Sequence, residues 1–156
     1  VVQGVNFNSV GQVVIAGNKA AVEKASEVLK AKGARKVMSL PVSVPSHCDL
    51  MKPAAEKLAL ELNNVRFNPA KVPLIQNVNG EIATDIHAIK DGLVKQLYSP
   101  VLWTKSVATL AQNDVMTIVE CGPGKVLSGL NKRIHESAKL FNLNSAESMT
   151  ALQESL

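Results

Sequence analysis

Apolar positions along the chain recur in two periods, and the period switches several times. Val13–Ala16 is a short, largely β-branched run closed by Gly17, which predicts a strand. After Asn18, a residue suited to capping a helix, Ala21, Val22, Ala25, Val28 and Leu29 return at spacings of three and four. They predict an amphipathic helix that ends at Gly33. Lys36–Leu40 reads as a further short strand. Pro41-Val42-Ser43-Val44-Pro45 must run extended, because proline pushes its predecessor out of the helical region. A long helix is predicted from Ser46, with Asp49 at capping-box spacing and Leu50, Ala54, Leu58 and Leu62 as its apolar stripe. Pro53 inside that pattern marks a kink or a break near the first turn.

Val72–Val78 predicts a strand entered at Pro73 and left through an Asn79-Gly80 turn. Asp85 caps a helix with Ile86, Ile89, Leu93 and Leu97 on one face, and Pro100 stops it. Val107, Leu110 and Ala111 predict another helix, and Val115–Val119 a strand. Gly122-Pro123-Gly124 then turns the chain into a helix with Leu127, Leu130 and Ile134 inward. Asn142–Leu156 predicts a short terminal helix or a frayed tail, in which Met149, Leu152 and Leu156 are loosely periodic. Strands alternating with helices from Val44 onward predict an α/β fold with a mostly parallel sheet. The segment before Pro41 predicts a smaller α+β lobe: strand, strand, helix, strand. That order falls short of a complete split βαβ unit.

The chain has 156 residues, of which 46% are hydrophobic but only 3% aromatic, so the core must be aliphatic. That composition excludes a disordered tail, a collagen-like chain and a coiled coil. The net charge of +4 comes without a run of three or more consecutive Lys or Arg, so it does not indicate nucleic acid, and it suits an anionic ligand. Cys48 and Cys121 cannot build a disulfide framework and read as free thiols in a reducing compartment. The apolar runs are too short for a membrane span and no secretory leader is recognisable, so a cytoplasmic protein is expected. The chain opens on Val1-Val2 without Met, as a segment of a longer protein would.

Candidate chemistry is sparse. Gly122-Pro123-Gly124-Lys125, between a strand and a helix, could cradle phosphate, but the upstream glycine and the Ser/Thr of a Walker motif are absent, which favours a plain tight turn. His87 and His135 fall on polar helix faces, where solvent contact is the ordinary reading. His47 differs: it follows the rigid Pro41–Pro45 segment at a predicted helix start, where the positive end of the dipole favours neutral imidazole, the form that accepts a proton. Packing or capping is the ordinary alternative. Metal ligation is not expected, because only the adjacent His47-Cys48 pair offers ligands, and those side chains diverge on a helix. Cys48 reads as a small buried hydrophobe. No serine sits in a Gly-x-Ser-x-Gly elbow, so a Ser–His mechanism cannot be completed from these residues. Asn6 and Asn8 alternate on a predicted strand or its end, which usually means a solvated face. Gln76-Asn77 ends a predicted strand, where open α/β sheets place ligand crevices.

Taken together, four segments resemble the malonyl-CoA:acyl carrier protein transacylase family of bacterial fatty-acid synthesis. They are Val5-Asn6-Phe7-Asn8-Ser9 with Gly11–Gly17; Pro41-Val42-Ser43-Val44-Pro45-Ser46-His47-Cys48; Gln96-Leu97-Tyr98 with Pro100-Val101 and Trp103; and Glu120 with Gly122–Leu127. They occur in family order and span nearly the whole chain. The resemblance implies an enzyme about twice this length, an α/β-hydrolase-like domain with an inserted ferredoxin-like lobe. This chain would be its C-terminal half: residues 1–43 part of the ferredoxin-like (split βαβ) lobe, and residues 44–156 the C-terminal part of the α/β-hydrolase-like domain.

The resemblance also implies ping-pong transfer of malonyl from coenzyme A, through a serine, to the phosphopantetheine thiol of acyl carrier protein. It makes His47 the general base and the Gln96 backbone carbonyl its orienting acceptor. Asn6 and Asn8 would line the acyl-pantetheine cleft, and Asn77 is a further cleft candidate. No cofactor and no metal are implied, since the coenzyme A thioester is a substrate. The expected partners are malonyl-CoA, acyl carrier protein and the N-terminal half of the same enzyme, which would hold the nucleophile, the oxyanion-hole donors and the carboxylate-binding arginine. Val10 departs from the family text, where Pro is usual. The alternative is a non-catalytic module binding coenzyme A or a carrier protein, with Lys19, Lys24, Lys30, Lys32, Arg35 and Lys36 as a basic docking face. A Gly-His-Ser-x-Gly elbow encoded upstream of Val1 would decide between the two.

Overall fold

The computed structural model describes residues 1–155, so the expected periodicity at Leu156 lies outside the described residues. The order is β1 (Val2–Ser9), β2 (Gln12–Gly17), α1 (Lys19–Ala31), α2 (Lys52–Asn63), β3 (Ile75–Gln76), β4 (Glu81–Ile82), α3 (Ile86–Gln96), α4 (Trp103–Gln112), β5 (Thr117–Glu120), α5 (Val126–Ile134), β6 (Lys139–Asn142) and α6 (Ala146–Ser155). The expected α/β class holds. β5 and β6 pair in parallel, while β1–β2 and β3–β4 are antiparallel hairpins.

β1 runs Val2 opposite Gly17 through Ser9 opposite Gln12, with irregularities between Gly4 and Asn6 and between Phe7 and Ser9. The turn between the strands has Val10 fully outward and Gly11 at φ 76°, a left-handed angle that glycine adopts without a Cβ clash. The other edge of β1 is taken by Val101, whose N–H donates to the Val5 carbonyl and whose carbonyl accepts from Phe7 N–H, both at 2.9 Å. Helix α1 closes as expected at Gly33: Gly33 N–H reaches the Lys30 carbonyl and Ala34 N–H the Leu29 carbonyl, a Schellman motif.

Four expectations need correction. Lys36–Leu40 forms no strand, because no partner strand lies beside it among the described residues. The helix after the proline segment starts at Lys52 and not at Ser46, since Pro53 belongs in a first turn, where its missing N–H has no helical acceptor to serve. Asp49–Met51 before it is a single 3₁₀ turn. The strand expected over Val72–Val78 pairs only at Ile75 and Gln76, and its return arm after Asn79-Gly80 makes a two-residue hairpin. Finally, Lys139–Asn142 is a strand that the apolar pattern did not announce, and the terminal helix begins after it, at Ala146.

The core is small and aliphatic: Val5, Cys48, Ala55, Leu62, Val107 and Leu130 are buried. β1 packs against α4 and α5, and α2 packs on α3. Trp103 Nε1 donates to Asn131 Oδ1 at 2.9 Å, which satisfies the buried Asn131 and ties α4 to α5. Lys90 Nζ donates to the Leu62 carbonyl at 2.7 Å and fastens α3 to the C-terminal end of α2. No helix among the described residues is long and apolar enough to cross a membrane.

Candidate active site

The extended proline segment ends in a tight turn, with Ser46 N–H donating to the Val44 carbonyl at 2.8 Å. His47 follows at φ 67°, in the left-handed region. A side chain there costs roughly 1 kcal/mol against right-handed backbone, so surrounding contacts must impose it. The end of α3 supplies them. The last carbonyls of a helix lack partners within it. Here the Leu97 carbonyl accepts the His47 backbone N–H at 2.9 Å, and the Gln96 carbonyl lies 2.7 Å from the ring Nδ1. A carbonyl oxygen can only accept, so Nδ1 carries the proton and Nε2 keeps its lone pair. The ring is half-buried.

The expected electrostatics of His47 are therefore reversed. It does not begin a helix whose positive end it meets; it faces the negative, C-terminal end of α3. A proton taken up at Nε2 leaves a cation held against a helix carbonyl. Asp49 does not serve a cap at Ser46 either. Its backbone N–H donates to Gln3 Oε1 at 2.8 Å, and its carboxylate accepts from Gln3 Nε2 at 3.2 Å and pairs with Lys52 at 2.8 Å. The Lys52 contact holds the Asp49 carboxyl below its ordinary value, and the same contact raises the ammonium of Lys52. Cys48 is fully buried beneath the turn, its thiol against the Pro45 carbonyl, and acts as the expected packing residue.

Segment 97–102 gathers the other candidates. Gln96 Nε2 donates to the carbonyls of Ser99 (2.9 Å) and Pro100 (3.2 Å), which fixes the chain as it leaves α3. Val101 then pairs with β1 around Asn6, and Leu102 N–H donates to the Asn77 carbonyl at 2.8 Å. Asn6 and Asn8 are half-buried on β1, and Asn77 is exposed in the β3–β4 turn rather than at the end of a parallel strand. His47 and Gln96 are thus in direct contact. Asn6 and Asn77 join them through backbone, and the carboxamides of Asn6, Asn8 and Asn77 take no hydrogen bond among the described residues.

The glycine-rich turn has its anion already. Glu120, at the end of β5, accepts Leu127 N–H at 3.1 Å, Ser128 N–H at 2.7 Å and the Ser128 hydroxyl at 2.7 Å. A carboxylate on the first turn of α5 fills the place a phosphate would take in a cradle. His87 is exposed, as expected. His135 is half-buried rather than free in solvent: Nε2 lies 3.1 Å from the Val115 carbonyl and ties the end of α5 to the entry of β5. Among the described residues no group of three or more His, Cys, Asp or Glu is placed to hold a metal.

Three contacts escaped sequence reasoning. Glu120 caps donors seven and eight residues ahead, beyond the three-residue window of capping rules. Gln3 and Asp49 are far apart in sequence, and Gln3 belongs to no motif. Gln76 lays its carboxamide over Gly92 and donates to the Ile89 carbonyl at 3.1 Å; a glycine inside a helical pattern was the available signal.

No family model matches the chain. Individual proteins do. A malonyl CoA-acyl carrier protein transacylase of Escherichia coli K12 is 54% identical over 154 residues, 99% of this chain and 50% of that protein. The chain belongs to the malonyl CoA-acyl carrier protein transacylase family. It spans about half the length of the curated relatives it matches, and corresponds to their C-terminal half. A solved acyl carrier protein S-malonyltransferase from Vibrio cholerae is 51% identical with a TM-score of 0.94, covering 97% of this chain and 50% of that one. A malonyl-transacylase solved with its type II polyketide-synthase acyl carrier protein is 46% identical with a TM-score of 0.97, covering 100% of this chain and 50% of that one. The family resemblance read from Val5 through Leu127 is therefore the correct one, and the α/β fold of this chain is that of its relatives.

Proposed function

We propose that this chain supplies the general base of a malonyl transfer from coenzyme A to acyl carrier protein, with the nucleophile provided by the other half of a full-length enzyme. One observation carries the reading: Nδ1 of His47 is held on the Gln96 carbonyl, which leaves Nε2 as the proton acceptor. The names of its relatives supply the substrates. Nε2 takes the hydroxyl proton of a serine as its oxygen attacks the malonyl thioester. The C–S bond breaks, and the imidazolium returns the proton to the coenzyme A sulfur. In the second half the phosphopantetheine thiol gives its proton to Nε2 and attacks the serine ester, and the serine oxygen leaves with that proton.

In this reading Asn6 and Asn8, on the strand locked to Val101, line the cleft for the acyl-pantetheine arm, with Asn77 at its margin. The Gln96 carbonyl orients the base. No cofactor enters the reaction. Residues 1–43 belong to a small lobe and residues 44–156 to the larger domain. The apolar residues left outward along the unpaired segment, Met38, Leu40, Val42 and Val44, favour a covering partner, and the N-terminal half of the enzyme fits that part. The test is single-turnover acylation of the full-length enzyme by malonyl-CoA. His47→Ala should slow it by about 10²–10⁴-fold, the usual worth of a positioned base. Near-parental acylation in that variant would overturn the reading.

A further inference from the structure

His47 occupies a backbone conformation that needs support from both sides. The support from α3 is described above. On the other side, two residues beyond His47, the Gln3 carboxamide makes a reciprocal bridge to Asp49: Oε1 accepts the backbone N–H at 2.8 Å and Nε2 donates to the carboxylate at 3.2 Å. Gln3 lies on β1, the strand whose Val5 and Phe7 pair with Val101. Val101 follows the Ser99–Pro100 turn gripped by the Gln96 side chain, and Gln96 holds the imidazole. The contacts therefore close a ring: β1 to Asp49, Asp49 through the chain to His47, His47 to Gln96 and Leu97, and the segment after them back to β1.

We propose that Gln3 is a positioning residue, which locks the turn bearing His47 to the strand bearing Asn6 and Asn8 so that base and cleft move as one body. This rests on the reading of His47 as the base. Gln3 touches neither the imidazole nor a reacting atom; it acts through Asp49. The ring has two closures on β1, at Val101 and at Gln3. Cutting the second leaves the fold of β1 intact but frees the left-handed turn to relax. Misplacement of a catalytic group by about 1 Å can cost up to roughly 10²-fold in rate. Binding of a coenzyme A ester should be far less affected, since no contact to it is removed.

The experiment is steady-state malonyl transfer by the full-length enzyme, with kcat and KM resolved and thermal unfolding recorded alongside. Gln3→Met keeps the side-chain length and removes both hydrogen bonds. It should lower kcat by about 10-fold or more, with KM for malonyl-CoA within about two-fold. Gln3→Glu sets two carboxylates against each other and should also lower kcat. Combining it with Asp49→Asn rebuilds the bridge with donor and acceptor exchanged, and should return kcat to within about three-fold of the parent. Parental kcat in Gln3→Met would overturn the proposal. So would failure of the double variant to recover while its unfolding midpoint matches the parent. A His47→Gln control separates the two readings: if it stays active the base assignment itself falls, whereas an inactive control beside a fully active Gln3→Met removes only the role of Gln3.

Discussion

Replacing Glu120 isolates what the turn Gly122-Pro123-Gly124-Lys125 does. Its carboxylate satisfies two free N–H groups of the first turn of α5 and the Ser128 hydroxyl. A side-chain cap at a helix N-terminus contributes about 0.5–2 kcal/mol, and a negative charge beside the dipole about 0.3–1 kcal/mol. The site is partly exposed, which places the combined effect in the middle of those ranges. Glu120→Gln keeps one acceptor oxygen, loses the charge and turns an NH₂ toward donors; it should cost about 1 kcal/mol. Glu120→Ala should cost about 2 kcal/mol, because two backbone donors lose their partner. Urea denaturation of the full-length enzyme at neutral pH reads both.

The pH dependence has a fixed sign. The Ser128 hydroxyl, followed by the backbone N–H groups of Ser128, Leu127 and Val126, holds the Glu120 carboxyl below its ordinary value of 4.5. The folded state thus prefers the ionised form. Its stabilisation is complete above 4.5, fades as the pH falls below that value, and is gone once the folded-state pKa is passed. The gap between parent and Glu120→Gln should therefore shrink on acidification. Equal stability at neutral pH, or a gap that widens in acid, would refute the capping role.

Lys125→Ala should leave the apparent affinity for malonyl-CoA within about three-fold, read by KM or calorimetry, because the helix N-terminus already holds Glu120; a large loss at unchanged stability would reinstate the phosphate cradle. In Gly92→Ala the new methyl would collide with the Gln76 carboxamide, a flexible end that can swing aside. The hydrogen bond to Ile89 then lost, about 1 kcal/mol, is offset by about 1 kcal/mol of helix propensity, so the unfolding midpoint should barely move, whereas Gly92→Leu should lower it by several degrees. Residues 1–156 produced alone should transfer no malonyl and self-associate in light scattering, and adding the N-terminal half should restore both solubility and transfer.

The elements legible in the sequence were those specified within a few residues. Gly33 ends α1 and Asp85 caps α3 by accepting Ala88 N–H at 2.8 Å, both as local rules require. What was illegible depends on partners distant in sequence. β6 is four residues whose pairing with β5 crosses a helix, so its short apolar content carries no period. Lys36–Leu40 has strand composition without a strand beside it among the described residues. His47 was singled out for a helix start that Pro53 in fact sets five residues later, and its orientation comes from the far end of α3. The helix end that His47 meets is thus the opposite of the one its local sequence suggests. The Gln3 bridge leaves no local trace at all.

The role of His47 turns on which of its ring nitrogens bears the proton. In full-length enzyme labelled with ¹⁵N-histidine, long-range ¹H–¹⁵N correlation spectra resolve the two ring nitrogens, and His47→Gln identifies the resonances. Above the titration range of the ring, Nδ1 should appear as the protonated nitrogen, hydrogen-bonded to the Gln96 carbonyl, and Nε2 as the bare one. A ring protonated at Nε2, or one averaging between both tautomers, would contradict the claim that Gln96 holds His47 ready to accept a proton.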